Sequence, residues 1–246
     1  MTIPPVFPKP TQYDQIADQY EDGLAVERLR RCALIPTAIA KVGDLRGKQV
    51  LDLACGAGLF SRLFKQMGAA KVVGIDISPE MIARAKKKDP EGSYVVSDVC
   101  DLSQQALFDL VFAGFCLHYA KDIPSLEKMC EVIATHLKSG EKFVSFAENP
   151  AKPTHTGIRY HFGATASEEI RDGVKITRTH YDEQMQEAVS FTHFHYEPTT
   201  YFEALSKAGF TDIQWSPFLV EDPPSSDWNA IANGDFSIAV LTCTKK

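Results

Sequence analysis

From Lys48 to Ser61 the chain reads Lys-Gln-Val-Leu-Asp-Leu-Ala-Cys-Gly-Ala-Gly-Leu-Phe-Ser, an apolar strand pattern that runs into a Gly56-x-Gly58 turn and straight on into a helical one. A strand, a tight turn and a helix in so few residues form the opening unit of a parallel sheet with crossover helices. Gly56 and Gly58 lack the Cβ atoms that would keep a ligand off the turn, and the first amides of the following helix point into the same space. Asp52 lies in the strand just before the glycines, and Asp76 ends the next strand-like run, Val72-Val73-Gly74-Ile75-Asp76, eighteen residues after Gly58. An acid at that second place suits a ribose diol.

The alternation continues. Tyr94-Val95-Val96 leads into Ser97-Asp98-Val99, Phe108 to Phe112 makes a fourth strand and Lys142 to Ala147 a fifth. Helical patterns fall between them. One is the stripe Leu59, Phe60, Leu63, Phe64, Met67 that stops at Gly68; another is capped by Ser78-Pro79-Glu80; a third spans 124–138. Thr200 to Ala208 reads as helix, and Thr211 to Pro217 and Asp235 to Thr244 as two final strands. The expected fold class is α/β, a doubly wound, mostly parallel sheet.

The charge around the glycine turn bears on the ligand. A dinucleotide site favours a third small residue where this chain has Ser61, and a pyrophosphate is poorly served by Asp52. The same acid suits an ammonium group, which the methionine end of S-adenosylmethionine carries. In order and spacing, the motifs Leu51-Asp52-Leu53-Ala54-Cys55-Gly56-Ala57-Gly58, Gly74-Ile75-Asp76-Ile77-Ser78, Ser97-Asp98-Val99 and Phe108-Asp109-Leu110-Val111, followed by Leu117-His118-Tyr119, resemble the class I S-adenosylmethionine-dependent methyltransferases over residues 10 to 150. The resemblance implies a Rossmann-like fold closed by an antiparallel hairpin and S-adenosylmethionine as cofactor. It also implies a small-molecule methyl acceptor, in the branch that methylates nitrogen or oxygen. Cofactor contacts are then expected from Asp52, Ala54, Cys55, Gly56 and Gly58 in the first motif. The second motif adds Asp76, Ile77 and Met81, the third Ser97, Asp98 and Val99, with Asp98 receiving the adenine amino group.

Several residues carry two readings. Tyr13, Ile16, Ala17 and Tyr20 share one helical face, which either packs on the sheet or, as the resemblance implies, brings Tyr13 and Tyr20 over the cofactor and the reacting methyl. Phe115 is either core or a wall of the cofactor site. His118 follows a strand at the carboxyl edge of the sheet, where open α/β sheets bind ligands, and either takes a proton from the acceptor or shapes the site without titrating. His193 and His195 lie two apart in a strand-like run, with no third ligand at suitable spacing, so a metal site is not expected.

Between Asn149 and Pro198 the pattern changes. Five of the seven histidines fall here, with Tyr160, Phe162, Tyr181, Phe191, Phe194 and Tyr196, and residues alternate around Val174 to Thr179 and Ala188 to Tyr196. So long an excursion reads as an inserted cap over the substrate. The chain thus divides into residues 1–148, lid helices and the cofactor-binding part of the core; 149–198, the cap; and 199–246, the rest of the core sheet. A net charge of -6 weighs against nucleic acid as a partner. No run approaches the ~20 apolar residues of a membrane span. Met1 to Pro10, with four prolines, matches neither a signal nor a transit peptide, and six scattered cysteines suit reduced thiols in the cytoplasm. Three alternatives stay open: methylation of carbon or sulfur, a catalytically idle S-adenosylmethionine-binding protein, and a nicotinamide-dependent oxidoreductase. Composition does not set the oligomeric state.

Overall fold

The computed structural model describes residues 11–22, 24–103, 106–159, 161–182, 184–223 and 228–246. Three helices come first: α1 (Gln12–Asp22), α2 (Leu24–Leu29), which runs on through a π-helical turn at Arg30–Leu34, and α3 (Ile35–Val42). Strands and helices then alternate through β1 (Gln49–Leu53), α4 (Leu59–Gln66), β2 (Lys71–Asp76), α5 (Pro79–Lys88), β3 (Ser93–Val96), β4 (Phe108–Gly114), α6 (Ile123–His136) and β5 (Leu137–Glu148). Four strands follow, β6 (His155–Arg159), β7 (Phe162–Ala166), β8 (Lys175–Tyr181) and β9 (Glu187–Phe194), before α7 (Pro198–Lys207), β10 (Phe210–Ser216), α8 (Asn229–Ala232) and β11 (Ile238–Lys245) close the chain.

The seven-stranded sheet has the order β10-β11-β5-β4-β1-β2-β3. It is parallel except for β11, which runs antiparallel to both β5 and β10. The expected doubly wound sheet with an antiparallel closing hairpin is therefore the observed fold. One face is filled by an aromatic pile in which the Phe112 ring lies 4.7 Å from Phe60, 5.1 Å from Phe64 and 5.1 Å from Phe146. On the other face Leu117, Leu126, Ile133 and Phe143 are fully buried. Local chemistry starts the helices: Ser78 accepts the Met81 N–H at 3.1 Å with Pro79 in the first turn, and Asp122 accepts the Ser125 N–H at 2.8 Å.

Two boundaries differ from expectation. The fifth strand begins at Leu137, directly after α6, because Leu137 pairs with Phe108 ahead of a register shift. The polar residues Lys138 to Lys142 and the left-handed Gly140 (φ +79°) interrupt the apolar pattern there. Leu117-His118-Tyr119 is a 3₁₀ turn. The chain leaves the sheet line at Phe115, whose φ is +62° and whose N–H donates to Phe146 O at 2.7 Å.

The segment after β5 forms a second, separate antiparallel sheet, β6-β7-β8-β9. Arg178 and His180 of β8 and Val189, Phe191 and His193 of β9 are its buried face, as period-two alternation requires. Strand β7 escapes the alternation test because Phe162, Gly163 and Ala164 are all buried together. Helix α1 straps the two sheets. Gln12 pairs with the backbone of Thr192 in β9, accepting its N–H at 3.0 Å and donating to its carbonyl at 2.9 Å. Two residues on, Asp14 accepts the Ser78 hydroxyl at 2.5 Å. No helix among the described residues is long and apolar enough to cross a membrane.

Candidate active site

The turn after β1 is built from backbone in the left-handed region: Ala54 and Gly56 both have φ +53°, and Gly58 has φ +79°. Asp76, at the end of β2, holds the turn in place. Its carboxylate accepts the Gly56 N–H at 2.8 Å through Oδ2 and the Ser78 N–H at 2.9 Å through Oδ1. Burial raises its pKa, against these hydrogen bonds. A Cβ placed on Gly56 would meet nothing within 4 Å, so the turn faces open space. That space suits a nucleoside: Asp76 for the ribose diol, Ser97 and Asp98 at the end of β3, and the apolar Ile77, Met81 and Val99 beside them.

Asp52 and Gly58 are corrections to the expected wall, since neither lines the cavity. The pleat of β1 turns Asp52 away, fully buried, to accept the Ser61 hydroxyl of α4 at 2.5 Å. Burial there pushes its pKa up to about 7, with the Asp76 charge adding to the effect and the Ser61 hydrogen bond opposing it. Gly58 is required by the backbone: a Cβ would lie 2.7 Å from Tyr94 Oη and 3.0 Å from Arg62 Nη1. Gly58→Ala should destabilise the fold by roughly 2 kcal/mol, from left-handed strain and the displaced Tyr94. Thermal unfolding measures it, and an unchanged melting temperature would refute the account.

A single cavity of about 730 Å³ runs from the glycine turn to the second sheet. Ala54, Cys55, Gly56, Asp76, Ile77, Met81, Ser97, Asp98, Val99 and Phe115 line its first half, and Tyr13 and His118 also reach it. Asp98 is exposed and accepts the Cys100 N–H at 2.8 Å, capping a short turn. Tyr20 lies in α1, but its side chain falls outside the described residues, as do Tyr160 and residues 1–10. The far half is walled by Phe162, Phe191 and Phe236, with Arg30, Glu148, Arg178 and His180 as its polar groups.

His118 stands between the halves, 1% exposed. Its ring is 4.7 Å from Tyr119 and 4.9 Å edge-on to His193, and its Nδ1 has no hydrogen-bond partner among the described residues. Burial, then the Arg178 guanidinium, pull its pKa down to about 3, so the imidazole is neutral at physiological pH. Tyr13 leans over this point, its hydroxyl 2.5 Å from that of Tyr119 and its ring 5.8 Å from Phe191. Sequence reasoning missed Arg30, Glu148 and Arg178. Glu148 had a usable signal, an acid ending a parallel strand at the edge where such sheets bind ligands; Arg178 had a weaker one, its place two residues before His180 in an alternating strand. Among the described residues, no three His, Cys, Asp or Glu side chains gather closely enough to hold a metal.

Known proteins fit this geometry. A family model described as a methyltransferase domain matches residues 50–140. A trans-aconitate 2-methyltransferase of Escherichia coli is 28% identical over 186 residues, 74% of this chain and 65% of that protein. An uncharacterised protein of Haemophilus influenzae is 29% identical over 130 residues, 49% of this chain and 50% of the other. The chain thus matches 50 to 65% of the length of these curated relatives. Among solved structures, an S-adenosylmethionine-dependent methyltransferase from Mesorhizobium loti superposes with a TM-score of 0.62 at 23% identity, covering 85% of this chain and 96% of that one. The CcbJ methyltransferase of Streptomyces caelestis gives 0.65 at 17%, covering 96% and 98%. At such identities the superpositions speak for the fold, while the matched domain, the ordered motifs and the ribose-ready turn speak for the cofactor. Residues 50–140 thus match a methyltransferase domain, set in the fold of the S-adenosylmethionine-dependent methyltransferases.

Proposed function

We propose that this chain transfers a methyl group from S-adenosylmethionine to a nitrogen or oxygen atom of a small metabolite, with residues 149–198 acting as the cap that receives it. The observation that carries this reading is the continuity of the cavity, which joins the Gly56 and Asp76 wall to a second wall supplied by the antiparallel sheet. The small-molecule relatives in Escherichia coli support the same class of acceptor. Bound S-adenosylmethionine supplies an electrophilic methyl group on a sulfonium, whose carbon–sulfur bond breaks with its electron pair as the acceptor lone pair attacks. The protein is left to align the acceptor and exclude water. Phe162, Phe191 and Phe236 provide a dry wall for an apolar or planar body, and Tyr13 covers the junction of the two halves.

His118, of the two roles open to it, is assigned the orienting one. A base works best with a pKa near the working pH, and an imidazole held near 3 retains an abstracted proton poorly. Its unpartnered Nδ1 instead offers a hydrogen bond to the acceptor. His118→Asn should keep kcat within about tenfold and leave the pH profile unchanged in shape. A general base would lose roughly 100- to 10,000-fold and an apparent pKa with it. The proposal as a whole is tested by incubating the protein and S-adenosylmethionine with a metabolite extract and looking by mass for a gain of one methyl group. Cofactor binding without turnover would favour the idle binding protein, and nicotinamide binding in its place would favour the oxidoreductase.

A further inference from the structure

Arg178 has an unusual position for a guanidinium. It is 3% exposed, projects from the buried face of β8 and lines the far half of the cavity. Its Nη2 donates to Glu148 and to the Ser237 carbonyl, and its Nη1 donates to the Ser237 hydroxyl at 2.7 Å. Arginine has five N–H donors, so the Nε–H and one Nη1–H remain without an acceptor among the described residues. Leaving donors of a buried charge unmet is costly unless a ligand meets them. Charge at this end points the same way. Glu148 is the carboxylate that meets Arg178 among the described residues, and the nearby histidines add no negative charge.

On this basis, and resting on the methyl-transfer reading above, we infer that the acceptor carries an oxyanion, a carboxylate or a phosphate, that seats on the open donors of Arg178 with its body against Phe162 and Phe191. Glu148 then serves as the internal counter-ion that keeps Arg178 extended across the cavity before the acceptor arrives. A planar guanidinium favours two-point contact with a carboxylate, so Arg178 would fix the direction from which the acceptor meets the methyl group as well as its charge class.

The test is calorimetric and independent of turnover. The protein is first loaded with S-adenosylhomocysteine, and failure of that step counts against the methyl-transfer reading itself. Benzoate, cinnamate and fumarate are then titrated beside their uncharged amides, with phenyl phosphate as the phosphate arm. At least one carboxylate or the phosphate should bind tenfold or more tightly than its uncharged counterpart, benzyl alcohol serving for the phosphate. Arg178→Gln should erase that preference while retaining S-adenosylhomocysteine affinity, and Arg178→Lys should keep part of it. Glu148→Gln, which removes the competing carboxylate, should tighten the oxyanion several-fold. Equal binding of every anion and its neutral partner to a protein that holds S-adenosylhomocysteine would overturn the inference. So would a preference that survives in a folded Arg178→Gln protein.

Discussion

Replacing Asp76 by Ala is expected to weaken S-adenosylhomocysteine binding by roughly 100-fold or more and to lower the melting temperature at the same time. An exposed strand-end acid could be lost without harm to the fold, but Asp76 is 9% exposed and two backbone N–H groups, from Gly56 and Ser78, depend on its carboxylate. Hydrogen bonds to a charged acceptor contribute ~1.5–3 kcal/mol each, so the turn should loosen even before a cofactor is added. Asp76→Asn, which keeps an acceptor oxygen for one amide, should recover part of the stability and little of the affinity if a ribose diol needs both oxygens. Calorimetry and thermal unfolding of the two variants separate these effects. Full affinity in Asp76→Ala would remove the ribose assignment.

The second large effect is on acid stability. His118 and His180 have pKa values pulled down to about 3, and that of His193 is also lowered, in each case first by burial. A base with a depressed folded pKa takes up its proton first in the unfolded chain, so its stabilising effect holds above about pH 6.5 and is lost as the pH falls. From pH 7 to pH 5, His118 and His180 should each withdraw ~2 kcal/mol, and His193 acts in the same sense. Asp52 acts with the opposite sign. Its folded pKa of about 7 lies above the ordinary 3.8, so the folded state binds its proton first and gains ~2 kcal/mol between pH 7 and pH 5. Asp76 and Glu148, also raised by burial, act in the same sense as Asp52. Single variants resolve the two signs. Over that range His118→Gln should lose ~2 kcal/mol less than the parent protein, and Asp52→Asn ~2 kcal/mol more. Denaturant unfolding at pH 7 and pH 5 measures both, and parallel shifts in all three proteins would contradict the assignment.

The cofactor half of the site was legible because its residues are neighbours along the chain. The turn at Gly56, the acid at Asp76 and the run Ser97-Asp98-Val99 each end a buried strand, and strands of one parallel sheet bring their carboxyl ends together. Asp52 was misjudged for a reason equally local: adjacent strand residues face opposite sides, and a hydropathy pattern does not say which side holds the ligand. The acceptor half was not legible in the same way. Arg30 comes from a π-helical turn, Glu148 from the core sheet and Arg178 from the inserted sheet, and only the fold makes them neighbours. Strand β7 of the cap was missed where buried Phe162, Gly163 and Ala164 suppress alternation.

The clasp between Gln12 and β9 touches only the peptide group of Thr192, whose side chain is exposed. A grip on main-chain atoms is indifferent to what residue 192 is, so long as the strand is there to be gripped. The inner face of the second sheet can therefore be rewritten for a different acceptor without disturbing this clasp, provided Phe191 keeps its packing against Tyr13 of the same helix. For anyone redesigning this protein, residues 162 and 180 are the interchangeable part, and Gln12, Asp14 and the Tyr13–Phe191 contact the fixture.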